Sequence, residues 1–320
     1  MKAAVNAKYG PPDVLKIIDV PKPVPKSDEV LIRVHATTVN RTDCGFLRGE
    51  PFLTRFFSGL FRPTYLCLGN EFAGEIVETG SSATLFTPGD RVFGFSDTRF
   101  GGHAEYMVMG EREGIAMMPA HYSYEEAAPM TEGSHYALCD LRAAKIAPGQ
   151  RWLIYGATGA IGSAAVQLAK YFGAEVTAVC ATHTMHLVQS FGPDRVLDYT
   201  KQDFTKLPEQ FDVVFDAVGK RSFGECKSIL KENGIYMSTD LGPHSENPFL
   251  ALLTPLFGGK KVLFPIPSIS KKDVEFLCEL AETGHFKPLI DRTYSLEQIV
   301  DAYNYVETGM KTGNVVITIA

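Results

Sequence analysis

The residues with the clearest chemistry are three glycines. In the run WLIYGATGAIGSAAVQLAK, Trp152 to Lys170, a glycine-rich turn separates an apolar strand from an amphipathic helix. Gly156 permits a tight turn, Gly159 lets a pyrophosphate approach the backbone, and Gly162 allows close helix–strand packing. A diphosphate would lie on the helix N-terminus, where free N–H groups and the helix dipole favour an anion. The spacing is GxxGxxG rather than GxGxxG, and a glycine triplet alone also occurs in ordinary βα turns. Here the strand, the helix and the following βα units all match, so the motif predicts a dinucleotide site. Thr158, Ala160 and Ile161 share that turn and are expected at the phosphates.

The second strand of the same fold decides which dinucleotide. NAD sites usually end this strand with Asp or Glu, about 20 residues after the glycines, to hold the ribose 2′-OH. Here Val176–Cys180 is followed by Ala181, Thr182 and His183, with no carboxylate. The nearest acid, Glu175, begins the strand. A missing acid removes repulsion against a 2′-phosphate, and Thr182 and His183 are candidate donors to it. NADPH is therefore expected over NADH, with Cys180, Thr182 and His183 beside the phosphate. His183 reads equally as a solvated residue at a helix start.

These residues need a frame, and the chain is long enough for two domains. At 320 residues it exceeds the size at which a single core usually stops growing, about 250–300 residues. Hydrophobic residues make up 45% and charged residues 21%, which excludes a disordered chain. A net charge of −6 makes a nucleic-acid partner a poor fit, since clustered cations are needed to release counterions. Six cysteines stand at 44, 67, 139, 180, 226 and 278 with no CxxC pair. They read as reduced core thiols in a cytoplasmic protein. No apolar run is long enough to cross a membrane and no signal-peptide core is present, so membrane association is not expected.

Up to about residue 120 the texture is strand-like. Glu29–Val39, Phe72–Gly80, Asp90–Phe95 and Ala104–Met109 are separated by turn clusters, which predicts an antiparallel, barrel-like region. From Ser123, with Glu126 completing a capping box, a long apolar helix is expected through Ala137 and Leu141. Strands and helices then alternate: strands at Arg151–Tyr155, Glu175–Cys180, Arg195–Leu197, Asp212–Asp216 and Gly234–Ser238, helices at Ala160–Phe172, His183–Phe191 and Ser222–Leu230. That is the signature of a doubly wound parallel sheet. Lys271–Glu282 reads as an amphipathic helix, Ser295 with Gln298 caps another, and Asn314–Ile319 is a last strand. The expected plan is an α/β chain: a Rossmann domain over 123–267 inserted into a barrel domain built from 1–122 and 268–320, with a cleft between them.

Several further motifs tie the chain to one family. They are Asn40-Arg-Thr-Asp43, Gly69-Asn-Glu71-Phe-Ala-Gly74 with Val77 and Gly80, Pro88-Gly-Asp90-Arg-Val92, Gly101-Gly-His-Ala-Glu105-Tyr, and Phe215-Asp216-Ala-Val-Gly219. With the glycine motif they resemble the medium-chain dehydrogenase/reductase superfamily, in its zinc-free quinone oxidoreductase, zeta-crystallin-like branch. The resemblance covers essentially the whole chain. It implies a GroES-like catalytic domain, a Rossmann domain, a homodimer joined by the Rossmann edge strand, and NADPH-dependent reduction of quinones or activated alkenes. In the zinc alcohol dehydrogenases of the superfamily, Cys stands at the Asn40 position, His at Asn70 and Cys near Met130. None of these three residues suits catalytic zinc. No metal is expected, and with it goes the Lewis acid needed to ionise an alcohol.

A nicotinamide hydride can add to an already activated acceptor without a metal, if the developing oxyanion is stabilised. The resemblance makes Asn40 and Asp43 the polar pair beside the nicotinamide. Asn40 either donates to the acceptor oxygen or caps the short helix Arg41–Leu47, and the two roles are compatible. Asp43, one turn on, would orient a water or a neighbouring side chain. Gly45 departs from the branch, where Tyr is common. Glu71 reads as a structural acid. Tyr136 reads either as cleft lining or as core. The crowded stretch 46–66, with Phe52, Phe56, Phe57, Phe61, Tyr65, Arg55 and Arg62, reads as an apolar lid, as a membrane-surface patch, or as a short packed helix.

The loops after the remaining parallel strands, Asp216–Gly219, Ser238–Gly242 and Phe264–Ile266, should border the ribose and nicotinamide. Tyr199, Val218, Leu241, Phe264 and Asn314 complete the expected cofactor contacts. The leading expectation is a zinc-independent NADPH oxidoreductase acting on a quinone or an α,β-unsaturated carbonyl. The alternatives are an alcohol/aldehyde oxidoreductase of the same superfamily and a non-catalytic nucleotide-binding protein.

Overall fold

β-Branched and apolar residues crowd Glu29–Val39, and this run forms an 11-residue strand in the computed structural model, which describes residues 1–96 and 98–319. It pairs antiparallel with Glu71–Thr79, Tyr106–Gly110 and Asn314–Thr318. Register shifts at Leu31/Ile32 and Val34/Ala36 mark irregularities that bend the strand. The sheet runs Ile290–Ser295, Asn314–Thr318, Glu29–Val39, Glu71–Thr79, Arg91–Phe95, Ile115–Met117. Val30, Ile32, Val34, Phe72, Ile76, Val315 and Ile317 fill its core together with Ile299 and Tyr303 from the helix Ile299–Glu307. The C-terminal part of the chain thus completes the barrel-like unit.

The chain divides into two compact units. The first comprises residues 1–132, 269–284 and 288–320, the second residues 133–268 and 285–287. The segment 123–132, expected with the nucleotide-binding domain, belongs to the first unit. Thr131 and Glu132 bind Glu71 there, and His35 stacks on Tyr124 with ring centroids 4.3 Å apart. The single long helix expected from Ser123 is two pieces, Tyr124–Ala127 and Glu132–Ala143. Pro129 lies between them with ψ at 16°, and it has no N–H to continue the helix.

The second unit is a six-stranded parallel sheet in the order Arg195–Asp198, Glu175–Cys180, Arg151–Tyr155, Phe211–Asp216, Leu230–Ser238, Lys261–Leu263. Leu153, Val179, Val214, Tyr236 and Val262 form its core. Because all strands run the same way, the loops that follow them share one edge of the sheet. The helix Ala160–Tyr171 begins there, and a further helix, Glu246–Phe257, precedes the edge strand.

Candidate active site

Asn40 ends the long strand of the first unit and starts the helix Arg41–Arg48. Its backbone N–H donates to Asp43 Oδ2 at 2.8 Å, one half of a reciprocal cap. Its side-chain amide donates to Thr38 Oγ1 and to Glu71 Oε2, each at 2.8 Å. Both amide hydrogens therefore point inward, and the capping role matches this geometry. A donor role toward an acceptor oxygen would require one of the two bonds to break. Asp43 is fully buried and also accepts from Gly69 N–H at 3.1 Å. Burial, then the charge of Glu132, holds its pKa well above the usual carboxylate range.

Glu71 is the centre of this cluster. Oε1 accepts from the Thr131 N–H at 2.9 Å, the Thr131 hydroxyl at 2.8 Å and the Glu132 N–H. Oε2 accepts from the Thr38 hydroxyl at 2.7 Å and from Asn40. Burial raises its pKa, while these donors favour the charged form and oppose the rise. Glu132 lies outermost. Oε1 accepts from Thr42 Oγ1 at 2.5 Å and Oε2 from Asn70 Nδ2 at 3.0 Å. Burial, then repulsion from Glu71, pushes its pKa up to about 7. Lys311, whose ammonium donates to the Gly313 carbonyl at 2.6 Å, is the nearby cation, and burial lowers its pKa. Below them His103 meets the Thr38 carbonyl at 2.8 Å through Nε2, and burial lowers its pKa to about 4.

Thr42 and Glu132 escaped the sequence reading. They stand 90 residues apart, so no local spacing links them. Of the metal-site positions, Met130 is fully buried, and Asn40 and Asn70 turn their amide N–H groups onto Glu71 and Glu132. Among the described residues no group of three His, Cys, Asp or Glu side chains is arranged to hold a metal ion. Gly45 opens on a cavity of about 510 Å³ lined by Arg41, Cys44, Arg48 and Glu307.

In the second unit the glycine loop has the expected form. Gly156 has φ at +81°, and a Cβ there would meet Val218 Cγ1 at 2.4 Å. A Cβ on Gly162 would meet the Gly156 carbonyl oxygen at 2.1 Å, so helix and loop touch. A Cβ on Gly159 meets nothing closer than 3.5 Å. Gly159 is the N-cap of the helix Ala160–Tyr171 and supplies no side-chain cap. The first-turn N–H groups of Ala160, Ile161 and Gly162 thus lack an intrahelical partner. An open, uncapped helix start beside two close-packed glycines, with Gly159 left clear, fits a dinucleotide diphosphate.

Thr158, Thr182, His183, Tyr199, Val218, Leu241 and Phe264 all follow parallel strands on the same sheet edge. One expectation needs correction. Cys180 is 1% exposed, because the strand turns its thiol into the core, so its side chain does not reach a cofactor. The strand end itself carries no carboxylate, as expected, but the neighbouring strand Arg195–Asp198 brings one beside it. Asp198, paired laterally with Cys180, accepts from the Thr182 hydroxyl at 2.5 Å and from the Thr200 hydroxyl at 2.7 Å. These bonds, that of Thr182 foremost, hold its pKa down to about 2. The Thr182 proton is thereby committed to Asp198, while His183 beside it is exposed. Asn314 belongs to the first unit. It is buried, donates to the Leu289 carbonyl at 2.9 Å, and keeps an unpartnered Oδ1.

Comparisons with known proteins agree with this architecture. Residues 26–120 match the alcohol dehydrogenase GroES-like domain family, and residues 191–317 match the zinc-binding dehydrogenase family. The chain is 34% identical to the 2-methylene-furan-3-one reductase of Solanum lycopersicum, over 99% of its own length and 79% of that protein's. It is 30% identical to the chloroplastic NADPH-dependent alkenal/one oxidoreductase of Arabidopsis thaliana with the same coverage. The chain belongs to the medium-chain dehydrogenase/reductase superfamily. The solved quinone oxidoreductase of Coxiella burnetii superposes with a TM-score of 0.89 at 26% identity, covering 100% of this chain and 99% of that one. As a member of this superfamily the chain is an oxidoreductase whose barrel unit is GroES-like and whose parallel sheet is the Rossmann unit.

Proposed function

We propose that this oxidoreductase reduces a quinone or an α,β-unsaturated carbonyl with NADPH and without a metal. The observation that carries the reading is what stands at the metal positions. Asn40 and Asn70 are bonded to carboxylates and Met130 is core, a donor set unsuited to zinc. An acceptor that is already electrophilic needs no Lewis acid. The names of the tomato and Arabidopsis relatives, both enone reductases, and of the Coxiella quinone oxidoreductase support the acceptor class.

When bound, the dihydronicotinamide supplies a hydride. Ala160, Ile161 and Gly162 would hold the diphosphate with backbone N–H groups, and His183 would meet the 2′-phosphate. Leu241, Phe264 and Val218 would border the ribose and nicotinamide. In the first unit Asn40 and Asp43 are positioning residues. They lock the corner between the strand Glu29–Val39 and the helix Arg41–Arg48, which sets Thr42 at the rim of the cluster.

We read the protein as a homodimer. Helix Glu246–Phe257 exposes Phe249, Leu252, Leu256 and Phe257, and it is tied to the edge strand by a Val262 N–H to Thr254 Oγ1 bond of 2.9 Å. A second copy would cover this face and the sheet edge. Six free thiols suit a cytoplasmic setting, and among the described residues no helix is long and apolar enough to cross a membrane.

The test is cofactor oxidation with a panel of quinones and enones, repeated after chelation. The expected outcome is turnover with NADPH that survives chelation. Activity abolished by a chelator and restored by zinc, or turnover confined to simple alcohols and aldehydes, overturns the reading.

A further inference from the structure

Three buried carboxylates and one lysine meet in the first unit, and they cannot all be charged. Asp43 and Glu71 have no exposure, while Glu132 has 6%. Taking several like charges out of water and holding them together in a dry site is costly, so at least one acid keeps its proton. Hydrogen bonding tells which proton can leave. Asp43 accepts two backbone N–H groups, and Glu71 accepts N–H groups and hydroxyls on both oxygens. Glu132 differs. One of its oxygens touches a hydroxyl, that of Thr42, which is half-buried and so reaches the surface of the cluster. A hydroxyl both accepts and donates, so it can pass a proton outward.

We infer that Glu132 is the proton donor of the reaction, acting through the hydroxyl of Thr42. The inference rests on the enone reading above. Hydride addition to the β-carbon of an enone leaves an enolate. The Thr42 O–H bond breaks as its proton passes to the enolate oxygen, and the Glu132 O–H bond breaks as its proton replaces the one lost from Thr42. The product is an enol, which tautomerises to the saturated carbonyl. Glu132 is left as a carboxylate and takes a proton from water before the next turnover. No oxidant or reductant beyond the hydride is needed.

The groups facing Glu132 set when it holds that proton. They are Asp43 from the helix Arg41–Arg48, Glu71 at the start of the strand Glu71–Thr79, Lys311 from the C-terminal segment, and Tyr303 from the helix Ile299–Glu307. Burial and Glu71 raise its pKa to about 7, while Thr42, Asn70 and Lys311 lower it. An acid poised near neutrality both holds its proton and releases it readily.

The experiment compares wild type, Glu132→Gln, Thr42→Val and Thr42→Ser. kcat for but-3-en-2-one is followed against pH, and the infrared carbonyl stretch of protonated carboxyl groups is followed against pH in the cofactor-free protein. Glu132→Gln is expected to lower kcat about 100-fold, in the range of general acid catalysis. It should also abolish the alkaline limb of the profile and remove the infrared band that titrates near neutrality. Thr42→Val should lower kcat while that band persists, and Thr42→Ser should restore turnover. If Glu132→Gln does not fold, the two Thr42 variants decide. A retained limb and band in Glu132→Gln, or full activity in Thr42→Val, overturns the inference alone. A wild type that reduces no enone and no quinone overturns the functional reading, and the inference with it.

Discussion

The hydroxyl of Thr182 donates to Asp198 Oδ2 at 2.5 Å, across the first two parallel strands of the sheet edge. An ionised carboxylate therefore sits under the turn that would meet a cofactor's 2′-substituent, and its nearest cation is Lys201 Nζ at 3.6 Å. Asp198→Asn removes that charge and weakens the hold on the Thr182 proton. The ratio of NADH to NADPH dissociation constants should then move toward NADPH by about 3- to 10-fold, and His183→Ala should move it the other way. Fluorescence titrations of both cofactors measure the ratio, and an unmoved ratio in both variants removes this turn from cofactor selection.

Phe56, Phe57 and Phe61 stand 66%, 73% and 87% exposed, whereas Tyr65 packs against Phe46 and Phe100. Only the Tyr65 end of the aromatic segment is therefore core. If the exposed end covers a bulky acceptor, Phe56→Ala with Phe57→Ala should raise KM for large quinones about 5-fold, equivalent to about 1 kcal/mol, and leave NADPH binding unchanged. Unchanged KM values across small and large acceptors would exclude a lid.

Asp140, in the helix Glu132–Ala143, is buried, and burial alone pushes its pKa up to about 8. The folded state thus keeps a proton that the unfolded chain releases near pH 4. That contribution to stability is complete below pH 4 and is lost as the pH rises through about 8. Asp140→Asn has no charge to strand. Relative to wild type it should gain about 2–4 kcal/mol of stability between pH 5 and pH 8. Urea unfolding at the two pH values checks this, and a constant difference would mean that Asp140 is ionised in the fold.

Leu256 and Phe257 stand 77% and 83% exposed beside the edge strand Lys261–Leu263. A dimer built on this face should dissociate when both are replaced by Asp, because burying two unpaired charges opposes association. Sedimentation velocity on wild type and the double variant reads the outcome. A monomeric wild type, or a double variant that stays dimeric, rejects this face.

Much of the plan was legible because its signals are local. The capping boxes at Ser123 and Ser295 and the amphipathic period of Lys271–Glu282 depend on neighbours within a turn, and all three appear in the fold. The glycine loop is equally self-contained. What escaped depends on lateral contacts. Asp198 meets Thr182 only because Arg195–Asp198 lies beside Glu175–Cys180 in the sheet. Glu132 meets Thr42 only because the segment 123–132 folds onto the barrel. The helix Glu246–Phe257 gave no periodic signal, since it turns its apolar residues outward, buries Asn247 and contains Pro255.

The long strand Glu29–Val39 pairs with Asn314–Thr318, and Glu71 draws donors from both Thr38 and Thr131. A growing polypeptide meets the last of these partners, Asn314–Thr318, late. Residues 133–268, the bulk of the parallel-sheet unit, leave the ribosome before residues 314–318 do, although Glu29–Val39 emerged long before either. The parallel-sheet unit can therefore mature while the barrel still waits, with the end of its central strand, Ala36–Val39, open on one side. The order of synthesis and the order of completion are inverted, and the interval between them is when this chain most needs protection from aggregation.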